Sequence, residues 1–83
     1  RVKWLAIAKV HTIRGFSPSA LYADMRSSWN PAKEVIWRRV DDNLFTAQFG
    51  CLGDWNKAMV MGPWFFRNQA VLMEEYDGFC NPR

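Results

Sequence analysis

Apolar and polar positions along the chain follow two periods, one suited to strands and one to helices, and their succession predicts six elements. Lys3 to His11 (Lys-Trp-Leu-Ala-Ile-Ala-Lys-Val-His) has strand length and apolar character, and Arg14-Gly15-Phe16 breaks it. Ser17-Pro18 reads as an N-cap followed by Pro at the first helical position, where the missing N–H costs nothing. Leu21, Met25 and then Ser28 or Trp29 recur at spacings of three and four, which lays an apolar stripe along one side of a helix from about Pro18 to Trp29. Asn30-Pro31 ends it, because the residue before a proline avoids the helical region.

Glu34 to Val40 and Leu44 to Phe49 read as two strands around an Asp41-Asp42-Asn43 turn, since Asp and Asn tolerate left-handed backbone and bond to it locally. In the second of them Phe45, Ala47 and Phe49 share one face and Leu44, Thr46 and Gln48 the other. The first set is the expected core face. Gly53-Asp54 is expected to cap a second helix, with Trp55, Ala58, Met59 and Gly62 on one side, and Gly62-Pro63 to stop it. After Trp64-Phe65-Phe66, Arg67-Asn68-Gln69 reads as a turn and Ala70 to Tyr76 as a last strand. The order strand, helix, strand, strand, helix, strand is a split βαβ pattern. It predicts an α+β, ferredoxin-like or RNA-recognition-motif-like βαββαβ sandwich: a four-stranded antiparallel sheet, both helices on one face and the other face free.

At 83 residues, with 49% hydrophobic and 16% aromatic residues, the chain fits one folded domain (1–83) and is too rich in large apolar groups to be disordered. It begins at Arg1 and ends just past the predicted last strand, so it is expected to be excised from a longer protein. Its net charge of +3 is unevenly spread: residues 1–40 carry eight cations against two anions, and residues 41–83 three against six. That asymmetry suits a basic face for nucleic acid or an acidic partner. Two cysteines, Cys51 and Cys80, provide no four-thiolate zinc cluster and are expected to be reduced thiols, in keeping with an intracellular, nuclear or cytoplasmic protein. No apolar run is long enough to cross a bilayer, so no membrane partner is expected.

Catalytic patterns are missing from the sequence: it has one His, no Gly-rich phosphate loop, no nucleophile elbow and no metal-ligand spacing. His11 reads as a strand-end histidine, Cys51 as an inert thiol and Asp41-Asp42 as turn residues. We therefore expect no enzyme, no cofactor and no metal, but a binding domain. RNA-recognition motifs place stacking rings on the free face of their first and third strands. With Phe45 and Phe49 inward, the third strand here would present Leu44 and Thr46 instead. Trp4 on the first strand and Trp37 on the second are the remaining stacking candidates, with core or interface packing as their other reading. Lys9, Arg14, Arg38 and Arg39 are the phosphate candidates. Trp55, Gly62, Pro63, Trp64 and Phe66 are expected to be architectural, closing one end of the core.

Several of these segments together resemble a known family: Lys9-Val10-His11-Thr12, Met25 to Trp29 with Pro31, Asp42-Asn43-Leu44-Phe45 leading to Gln48-Phe49, and Asp54-Trp55 ahead of Gly62-Pro63-Trp64-Phe65-Phe66. Their order is similar to that of a plant domain-of-unknown-function family found upstream of CCHC zinc knuckles in the first-ORF products of LINE-type retrotransposons and in derived host proteins. The chain departs from the family pattern at Met61, where a second Gly is usual, and at Ala47, where a bulkier apolar residue is common. The resemblance implies a non-catalytic accessory domain that binds RNA or single-stranded DNA. A protein partner or self-assembly into a homo-oligomer, through the free sheet face or an edge strand, is the alternative.

Overall fold

The computed structural model describes residues 4–12 and 14–76, arranged as β1 (Trp4–Val10), α1 (Pro18–Trp29), β2 (Ile36–Asp41), β3 (Leu44–Phe49), α2 (Leu52–Val60), β4 (Trp64–Phe66) and β5 (Gln69–Glu75). The α+β class and the two helices agree with expectation, but the sheet has five strands rather than four, all antiparallel, in the order β2-β3-β1-β5-β4. The additional strand comes from Trp64-Phe65-Phe66, which pairs with Gln69, Ala70 and Val71. Arg67 and Asn68 join the two strands with φ of 50° and 68°. Positive φ at both central residues is the mark of a type I′ turn, whose twist matches that of the flanking strands.

α1 has the expected bounds, with Pro18 in its first turn and Asn30 in the left-handed region (φ 48°, ψ 57°) at its end. Its buried residues are Leu21, Met25 and Trp29, so the apolar stripe runs through Trp29 and leaves Ser28 exposed. α2 begins earlier than expected. Cys51 occupies the N-cap position, and Gly53 and Asp54 lie within the first turn rather than before it. The Asp54 carboxylate is committed elsewhere: Ala32 N–H donates to one oxygen and Lys33 N–H to the other, each at 3.0 Å.

Both helices pack on the same sheet face. Ala6, Ala8 and Val10 of β1, Phe45, Ala47 and Phe49 of β3, Val71 of β5 and Phe66 of β4 form one buried cluster with Leu21, Met25, Trp29 and Ala58. The β3 face assignment is thus as expected. The small side chains of Ala6, Ala8 and Ala58, each fully buried, permit close approach of α2 to the sheet, and the larger rings fill the space over β3 and β4. Two indoles fasten the far end: Trp55 Nε1 donates to Leu5 O and Trp64 Nε1 to Ala58 O, both at 2.7 Å. Trp55, Trp64 and the buried Phe66 thus pack into this end of the core, with Gly62-Pro63 linking α2 to β4.

Candidate nucleic-acid interface

Strand alternation divides the six candidate residues between the two faces. Trp4 pairs with Phe49 and Trp37 with Ala47, so both indoles lie on the helix-covered side, not on the free face where base stacking was expected. Trp4 packs against Trp55 with ring centroids 6.0 Å apart. Trp37 stacks on Trp29 (5.4 Å, planes 7° apart) and on Tyr22 (4.8 Å, 22°), both from α1. The strand period of two explains the correction: Trp4 has the parity of Ala6 and Ala8, and α1 and α2 cover that side.

The cations are dispersed as well. Arg38 pairs with Thr46 and Lys9 with Leu44 on the free face, where the Lys9 ammonium stands 3.7 Å from the Glu74 carboxylate. Arg14 is exposed beyond β1, beside a shallow cavity it lines with His11, Thr12 and Gln69. Arg39 pairs with Phe45 and so projects to the helix side of β2, the opposite side from its neighbour Arg38. Its guanidinium donates to Asp41 O at 3.3 Å and lies 3.5 Å from an Asp42 carboxylate oxygen. That ion pair is exposed, and such pairs contribute only ~0–1 kcal/mol, so a phosphate can compete for the arginine.

A groove of about 730 Å³ opens between α1 and the β2 edge, lined by Tyr22, Arg26, Trp29, Lys33, Glu34 and Trp37 among others. Its floor is the aromatic stack. Arg26 reaches it from the last turn of α1, and Lys33 from the loop that Asp54 holds. Gly50 fixes the same loop from below, since a Cβ there would stand 2.6 Å from the Lys33 Cβ. Two backbone N–H donors hold the Asp54 carboxyl below its ordinary range, the Ala32 bond contributing most, with Cys51 and Lys57 adding to the effect. Burial raises the Tyr22 hydroxyl, and the Arg39 charge works against that rise. Trp29 Nε1 is buried with no hydrogen-bond partner.

Sequence reasoning did not single out Tyr22, Arg26 or Lys33. Arg26 and Lys33 counted toward the basic first half, but only the α1–β2 crossing brings them together with Arg39's side of the strand. Among the described residues no group of His, Cys, Asp or Glu is placed to hold a metal ion, and no helix is long and apolar enough to cross a membrane. Cys51 is half-buried at the start of α2, and Cys80 lies outside the described residues. No protein-family model, curated protein or solved structure matches the chain.

Proposed function

We propose that this chain is a non-catalytic domain that binds RNA or single-stranded DNA, gripping the phosphate backbone along the β2 edge, and that it serves as an accessory domain of a retroelement-derived protein. The observation that carries this reading is the setting of Arg26, Lys33 and Arg39 on the α1 side of β2, two of them lining a groove of about 730 Å³. A row of cations along one edge neutralises successive phosphates and releases counterions, which needs no base contact. The strand order β2-β3-β1-β5 is also that of a ferredoxin-like domain, with β4 added at the edge.

The stacking role drops out of the mechanism. Trp37 is engaged by Tyr22 and Trp29, and Trp4 by Trp55, so base stacking on either would cost core contacts. Binding is therefore tolerant of sequence and strongly salt-dependent. Arg26→Ala, Lys33→Ala and Arg39→Ala each weaken binding to a single-stranded RNA pool in a fluorescence titration, whereas Arg67→Ala, on the β4–β5 turn, does not. Equal affinity across all four variants would refute the assignment.

A further inference from the structure

The free sheet face combines exposed apolar side chains with an ordered charge pattern. Ile36, Leu72 and Phe65 are each about half exposed there (55, 49 and 54%), around Ile7 and Leu44, which are themselves buried. Across the middle of the face runs one cross-strand row, Arg38–Thr46–Ile7–Glu74, from β2 through β3 and β1 to β5. It is positive at one end, negative at the other and uncharged between.

We propose that this face pairs with the same face of a second copy of the chain, about a two-fold axis running parallel to the strands between β3 and β1. Such an axis lays β2 of one copy over β5 of the other and sets Arg38 of each copy against Glu74 of its partner, so the charge match occurs twice. A two-fold perpendicular to the strands through the same row would set Arg38 against Arg38 and Glu74 against Glu74. The charge pattern therefore selects the orientation as well as the partner. Neighbouring strands lie ~4.8 Å apart and facing sheets ~10 Å apart, and the ~30° angle between packed sheets displaces the row ends by only a few ångströms, within reach of an arginine. Lys9 keeps its ion pair with Glu74 in this arrangement, so no lone charge is buried with the apolar centre. Pairing covers Ile36 at the rim of the groove but leaves its cationic lining, Arg26 and Lys33, uncovered, so the inference does not rest on the nucleic-acid reading.

Charge reversal gives a decisive test by light scattering on the purified chain, with circular dichroism to check folding. The wild type runs at twice the chain mass at high micromolar concentration, and Arg38→Glu and Glu74→Arg each run at the single mass. Mixing the two variants restores the doubled mass, because each then presents the charge the other lacks. A wild type of single mass, variants that still pair alone, or a mixture that stays at the single mass would each overturn the proposal.

Discussion

The indole of Trp37 lies parallel to that of Trp29, planes 7° apart and ring centroids separated by 5.4 Å, so the edge strand β2 is stacked onto α1 through its largest side chain. Together with Tyr22 and the edge of Phe45, this stack is the principal packing between β2 and the rest of the core. Trp37→Ala removes it. The cost expected is about 2–3 kcal/mol, somewhat below a fully buried Trp truncation because Trp37 is only half-buried, and urea denaturation reads it as a lower midpoint with little change in slope. In the folded fraction RNA affinity falls little, which separates a packing role from a stacking one.

Asp54 ties α2 to the loop that carries Lys33, through N–H donors on Ala32 and Lys33. Its carboxyl is held below its ordinary value in the folded state, so the unfolded chain takes up the proton first as pH falls. This contribution to stability is complete above the ordinary carboxylate pKa and is lost as pH drops through the depressed folded value. Asp54→Asn costs roughly 1–2 kcal/mol at neutral pH. It also flattens the acid limb of the stability curve below about pH 4, measured by thermal unfolding across a pH series.

Gly50 is required by proximity rather than by backbone conformation. A methyl group at this position would stand 2.6 Å from the Lys33 Cβ, so the loop must shift. Gly50→Ala is expected to cost about 1–3 kcal/mol, as overpacking does, and to lower RNA affinity with it by displacing Lys33. Gly53→Ala, with nothing within 4 Å of the added Cβ, serves as the control and leaves affinity unchanged.

Much of the architecture was legible in the chain because local chemistry and tertiary packing agree there. Ser17-Pro18 and Asn30-Pro31 bracket α1, and the alternation Phe45, Ala47, Phe49 identifies the buried face of β3. β4 escaped notice because three residues carry no period, although the turn at Arg67-Asn68 that follows it was legible even without a glycine. The start of α2 was misplaced because Asp54, which looks like a cap, spends its oxygens on a loop some twenty residues earlier in the chain. Trp4 and Trp37 had two readings, stacking on the free face or packing in the core, and their chemistry does not choose between them; the shared parity of Trp4 with Ala6 and Ala8 carries all three to the helix side. The groove was beyond reach of the sequence, since Arg26, Lys33 and Trp37 meet only through the crossing of α1 over β2.

Salt dependence of binding tests the central claim most directly. The affinity of the chain for a single-stranded RNA pool, titrated from about 50 to 200 mM salt, should fall along a straight line in a log–log plot. The expected slope is about −2, from three phosphates met by Arg26, Lys33 and Arg39 at roughly −0.7 each. No binding at the lowest salt, or binding whose affinity does not change with salt, would contradict the account.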